Sequence, residues 1–152
     1  MLTKDWILLL VPILFNGVFI FMLQKIFEKK QLIKTIKYEY ASVLRQKIDI
    51  SLKLHAKATR LANECESEND GIINDTIKEY VDSVLDGYYY YVQNKNIFKP
   101  LNETFDQIAT NILELTKCSH QKKIDLEQFS LLFNRIRDEL MILKDKCIHL
   151  DF

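Results

Sequence analysis

The chain has 152 residues, enough for an anchor and one small domain with one core, but not for two domains. Its 21 basic and 21 acidic residues cancel, so no global field collects nucleic acid, and neither DNA nor RNA is expected as a partner. Only 3 Gly and 2 Pro punctuate it, which argues against a β-sandwich and for long helices with few turns.

The first element is the stretch from Trp6 to Leu23, which carries no charge. As an α-helix it is roughly 27 Å long, close to the hydrocarbon thickness of a bilayer, and predicts a single transmembrane helix over residues 1–24. Inside it, Pro12 removes a backbone donor and Asn16-Gly17 sets a side-chain amide beside a bare backbone position, features that lipid tolerates better under a neighbouring helix. Lys25, Lys29, Lys30, Lys34 and Lys37 follow the span, whereas only Lys4, beside Asp5, precedes it. The positive-inside rule then places the amino terminus outside and the rest of the chain in the cytoplasm, with the bilayer as the first partner. The front has no strongly basic segment, and Phe21-Met-Leu-Gln-Lys25 offers no small-residue cleavage site, so a retained anchor is expected rather than a cleaved leader. The Trp-x-x-Leu-x-x-Pro-x-x-x-Asn-Gly pattern from Trp6 to Gly17 resembles leaders of small membrane proteins carried on mobile elements of low-GC bacteria, and implies no residue roles.

No helix breaker occurs between Lys25 and Cys65, so the span is expected to continue as one long helix. Ile33, Ile36, Tyr40, Val43, Leu44, Ile48, Leu54, Ala58, Leu61, Ala62 and Cys65 recur on it at three- and four-residue steps, an amphipathic stripe. Ser, Asn, Asp and Gly cluster at 67–71 and end it. A second helix follows from a cap at Asn69 or Asp70 to about Asn94, burying Ile73, Ile77, Tyr80, Val81, Val84, Tyr88 and Tyr91. Pro100 opens a third, to about Lys117, with Leu101, Phe105, Ile108, Ala109, Ile112 and Leu115 inside. The fourth start is signalled most strongly: Asp125 and Gln128 have capping-box spacing, and Ile124 and Phe129 occupy the positions of a hydrophobic staple. Phe129, Leu132, Phe133, Ile136, Leu140, Leu143 and Cys147 then share one stripe.

Short loops favour antiparallel neighbours, so the expected architecture is an all-α, up-down-up-down bundle whose first helix extends the anchor. From Lys25 to Glu66 that helix reaches about 60 Å, while the second and fourth return less than 40 Å. The bundle is therefore expected over 44–152, leaving 25–43 as a helical stalk. Ile26, Ile33 and Tyr40 lie seven residues apart on it with Ile36 between the last two, a short heptad seam that predicts self-association.

Chemistry is harder to find. Cys65, Cys118 and Cys147 make an odd count without framework spacing, as in a reducing compartment. Cys118-Ser-His120 and Cys147-Ile-His149 would supply a tetrahedral zinc, but helix four separates the pairs by about 40 Å, so neither a metal nor a cofactor is expected. His55, mid-helix among lysines, reads as a solvated residue. A chain with 3 Gly offers no nucleophile elbow or phosphate loop, so no catalytic residue is assigned. The sequons at Asn74 and Asn102 matter only for a lumenal domain.

Four consecutive tyrosines, Tyr88 to Tyr91, cannot share one helical face. Tyr88 and Tyr91 align with the core, leaving Tyr89 at its flank and Tyr90 pointing away, and Leu131 and Ile142 lie on the outer side of helix four. Tyr89, Tyr90, Leu131 and Ile142, with Ile26, Ile33 and Ile36, are the candidate interface residues. These features predict a non-enzymatic, membrane-anchored scaffold, sensor or regulatory module that binds itself or another protein. The alternative is a holin-like or defence effector whose oligomerised anchors perturb the bilayer.

Overall fold

A chain so poor in Gly and Pro folds almost entirely as helices among its described residues, with a turn at 94–97. The computed structural model describes the backbone of residues 2–64, 70–119 and 125–150, and the side chains of 18–64, 71–119 and 125–150. Four helices follow in order: α1 Leu2–Glu64, α2 Asp70–Gln93, α3 Asn102–Ser119 and α4 Leu126–Ile148, with a 3-10 turn at Lys99–Leu101 ahead of α3. The fold is all-α, and no strand occurs among the described residues. Met1–Glu39 and Tyr40–Asp151 form separate units, and the second holds the bundle.

Side-chain pairs establish the topology of that bundle. Lys47 meets Asp86, Ser51 meets Ser83 at 2.8 Å and Lys57 meets Glu79 at 3.9 Å, so positions ascending α1 face positions descending α2. Tyr91 stacks on Phe105 across the α2–α3 connection. Lys146, near the end of α4, donates to Thr104 Oγ1, near the start of α3, at 2.8 Å. Asp49 pairs with Lys144 at 2.7 Å and closes α4 onto α1. Successive helices are antiparallel, in the up-down-up-down order that short connections favour.

The core faces of α3 and α4 follow their apolar period. Leu101, Phe105, Ile108, Ile112 and Leu115 are buried on one, and Leu132, Phe133, Ile136, Leu140, Leu143 and Cys147 on the other. Asp125 caps α4, its carboxylate accepting from the amides of Glu127 and Gln128 at 3.1 Å each. That satisfies two of the donors a helix start leaves unpaired. The staple partner Ile124 lies outside the described residues.

Elsewhere the structure corrects the apolar reading. On α1 the buried stripe is Ala41, Leu44, Ile48, Ser51, His55 and Ala58, at alternating steps of three and four. Val43 and Ala62 are exposed and Leu54 is half-buried, because two of the true inward positions are polar and a stripe traced through apolar residues drifts around the helix. His55 is a core residue, not a solvated one. Ser51 is accommodated by donating to or accepting from Ser83, its own hydroxyl also lying 3.2 Å from the Lys47 carbonyl. Before α3, the chain enters through the 3-10 turn, and Phe98, just ahead of it, is fully buried.

Candidate functional site

In the first unit, the large apolar side chains of the described residues 18–39 are all exposed. Every residue from Val18 to Leu23 is large and apolar and between 39 and 61% exposed. Ile26, Phe27, Leu32, Ile33 and Ile36 continue the exposed set. A water-facing helix ordinarily shows one apolar stripe, and one that is apolar all round belongs in lipid or inside a larger assembly. Among the described residues no helix is long and apolar enough to cross a membrane. The side chains of residues 1–17, including Trp6, Pro12, Asn16 and Gly17, lie outside that description, and of the predicted span only residues 18–24 fall within it.

Part of the charge is sorted around the same segment, with Lys25 on the acidic side. At about 100° per residue, Lys30, Lys34 and Lys37 fall on one side of α1 and Glu28 and Glu39 on the opposite side. Lys25 pairs with Glu28 at 3.1 Å and also lies 5.8 Å from the Phe21 ring centroid, while Lys34 lies 5.7 Å from that of Tyr38. Both ammonium groups stand over the faces of these rings, a cation–π arrangement.

In the second unit the tyrosine run divides differently from the sequence expectation. Tyr91 is buried and Tyr88 only half-buried, Tyr89 is 60% exposed, and Tyr90 is half-buried. The Tyr90 ring stacks on Tyr40 at 6.2 Å and tilts against Phe98 at 6.2 Å, its hydroxyl reaches the Tyr40 carbonyl at 3.5 Å, and Lys47 Nζ stands 5.7 Å from its centroid. Tyr90 therefore serves the α1–α2 contact, because α2 touches α1 as well as α3 and so has two inward directions. Tyr89 keeps an open ring, and Leu131 and Ile142 are exposed on α4. Tyr89 meets the edge of the Tyr88 ring, whereas Leu131 lines a separate shallow cleft on α4 that contains neither Tyr89 nor Ile142.

Among the clefts that open on the bundle are two with several apolar residues in their walls. One, of about 590 Å³, is lined by Ile73, Ile77, Val81, Leu115, Leu126 and Phe129. The other, of about 440 Å³, lies between α1 and α4 and is lined by Leu52, His55, Thr59, Arg137, Met141 and Lys144. In the second, the Thr59 hydroxyl lies 3.5 Å from His55 Nδ1 but donates to the His55 carbonyl at 3.0 Å, and His55 Nε2 has no partner among the described residues. The hydroxyl is thus engaged in its own helix, and among the described residues no third group is seen to orient the imidazole. Cys118 and Cys147 are buried free thiols near the carboxyl-terminal ends of antiparallel helices, and Cys65 and His120 lie outside the described residues. Among the described residues no group of three His, Cys, Asp or Glu side chains is placed to hold a metal ion.

No family model matches this chain. Characterised proteins and solved structures likewise offer no match. The surfaces themselves carry the functional reading.

Sequence reasoning missed His55 and Phe98 as core residues. The signal for His55 was its register: it stands seven residues after Ile48 and three before Ala58, at inward spacing on α1. For Phe98 it was the preference for an apolar residue just before a helix start, where a side chain can fold back on the bundle.

Proposed function

We propose that this protein is a single-pass, membrane-anchored helical interaction module without catalytic activity, its amino terminus outside the cell membrane and its bundle in the cytoplasm. The observation that carries the reading is the exposed, all-round apolar surface from Val18 to Leu23 on a helix with no charge back to Trp6. Removing such a surface from water stabilises by about 25 cal/mol per Å², and lipid accepts it without requiring a matching protein face. The lysines that follow supply the orientation, since basic residues beside a span are retained on the cytoplasmic side.

The partner on this reading is a second copy of the chain. Ile26, Ile33 and Ile36 are exposed at heptad-like spacing, and burying each contributes roughly 1.5 to 3 kcal/mol. Anchored chains share one orientation and move in two dimensions, which raises their effective concentration. Repulsion among Lys29, Lys30, Lys34 and Lys37 opposes the contact, and anionic headgroups offset it.

Membrane fractionation of the full chain tests the anchor: retention in the pellet after alkaline carbonate, lost on deletion of residues 1–24, is the expected result. A chain that carbonate releases would overturn it. Protease added to intact cells is expected to spare a carboxy-terminal tag, and its digestion would reverse the orientation. With Cys65, Cys118 and Cys147 replaced by alanine, Ile33→Cys is expected to cross-link to itself in membranes more than Lys34→Cys does, and equal failure would remove the oligomer. Depolarisation on induced expression, read with a potential-sensitive dye, would replace the interaction module by a membrane-active effector.

A further inference from the structure

Among the described residues, His55 is the one buried base of the bundle, set between two aromatic rings at the wall of the α1–α4 cleft. His55 is 3% exposed, its ring stacked on Phe133 at 4.3 Å with planes 21° apart and set against the edge of Tyr80 at 5.5 Å. Tyr80 in turn meets Phe133 at 4.8 Å, so three rings from α1, α2 and α4 close on one another. The Thr59 hydroxyl gives its proton to the His55 carbonyl at 3.0 Å and lies 3.5 Å from Nδ1, so it has no second proton to offer the ring. Nε2 and the Tyr80 hydroxyl are both buried without a partner among the described residues. A proton arriving at Nε2 therefore finds no acceptor there.

The charged groups around the ring do not compensate. From α4, Arg137 adds a positive charge, and the Asp138 carboxylate that would oppose it is bonded to the same guanidinium at 2.7 and 2.9 Å. Lys144 and Asp145 line the adjoining cleft, and Lys144 is paired with Asp49. From α2 the ring meets the Tyr80 phenol, and Glu79 beside it pairs with Lys57 of α1. Phe133 offers an imidazolium its π face, an attraction smaller than the hydration lost on burying the charge.

We propose that His55 makes the bundle acid-sensitive, its protonation driving the imidazole out from between Tyr80 and Phe133 and opening the seam between α1 and α4. Burial, with Arg137 adding to it, holds the imidazole below its ordinary value of 6.5. The unfolded chain therefore takes up the proton first as pH falls. The stability this neutral histidine contributes is full above pH 6.5 and is lost progressively as pH drops through the folded-state value. No catalytic or metal role is needed for such a device, only a two-state seam that a proton biases.

The test uses the full chain in neutral detergent, melted at pH 7.5 and pH 5.0 beside His55→Leu and His55→Gln. Wild type is expected to lose about 4 °C or more between the two, the shift of a small domain losing a factor of five or so in its folding constant. His55→Leu is expected to lose less than half as much, with carboxylate protonation accounting for the remainder. An equal loss in the leucine variant would overturn the proposal. Should that variant not fold, the titration of the His55 ring followed by NMR in wild type decides: a midpoint below 6.5 supports the device, and one at or above 6.5 ends it.

Discussion

Tyr91 donates its hydroxyl to Asn102 Oδ1 at 2.6 Å while its ring lies on Phe105, centroids 3.9 Å apart and planes within 13°. One side chain at the end of α2 thereby holds both the first residue of α3 and its first core aromatic. Tyr91→Phe keeps the stacking and loses the bond, and is expected to cost about 0.5 to 1.5 kcal/mol. Asn102→Ala strands a buried hydroxyl and is expected to cost more, about 1 to 3 kcal/mol. Urea unfolding of both variants checks the order, and an alanine variant as stable as wild type would show that the bond does not hold the α2–α3 corner.

The faces of α4 are tested by two residues two positions apart. Leu140 is buried and Ile142 is exposed. Leu140→Ala is expected to cost about 2 to 5 kcal/mol, a transfer loss plus a cavity, whereas Ile142→Ala stays within about 0.5 kcal/mol. Thermal melts that coincide would mean that the inward face of α4 is elsewhere.

Tyr89 and Tyr90 separate in the same way, in the opposite sense to the sequence expectation. Tyr90→Ala removes the stack on Tyr40 and the contact with Phe98, and is expected to lower stability by about 1 to 3 kcal/mol. Tyr89→Ala is expected to melt like wild type, within about 0.5 kcal/mol. Chemical denaturation at one pH compares them directly. A Tyr89 variant that unfolds early would show that its ring is not free in solution.

The two described thiols make a prediction about reactivity and pH. Burial pushes the Cys147 thiol from 9.0 up to about 12, and Cys118 is buried as well. In a Cys65→Ala background the native chain is expected to give no fast thiol reaction at pH 8 and to release two thiols on unfolding. The raised value also has a stability consequence. Above pH 9 the unfolded thiol ionises while the folded one keeps its proton, so the contribution of Cys147 is full below pH 9 and falls as pH rises toward 12. Cys147→Ala is expected to flatten that alkaline slope, measured by urea titrations at pH 8 and 10, and an unchanged slope would assign it to the tyrosines instead.

The sequence by itself determined the helices and the apolar part of the inward faces of α3 and α4. Leu101, Phe105, Ile108, Ile112 and Leu115, like Leu132, Phe133, Ile136, Leu140 and Leu143, repeat at helical spacing with few polar interruptions, and Asp125 caps by bonding amides two and three residues ahead. These are local relations, written within a few turns of one helix, and a hydrophobic period is enough to read them. The charge-free stretch from Trp6 to Leu23 is legible for the same reason. Only the tertiary structure decided the inward register of α1 and the division of the tyrosine run. Ser51 is inside because Ser83 supplies its hydrogen-bond partner, His55 because Phe133 and Tyr80 enclose its ring, and Tyr90 because Tyr40 lies across from it. A polar side chain is buried or solvated according to the partner it meets, and those partners are separated from it by tens of residues of chain, where no local period can reach.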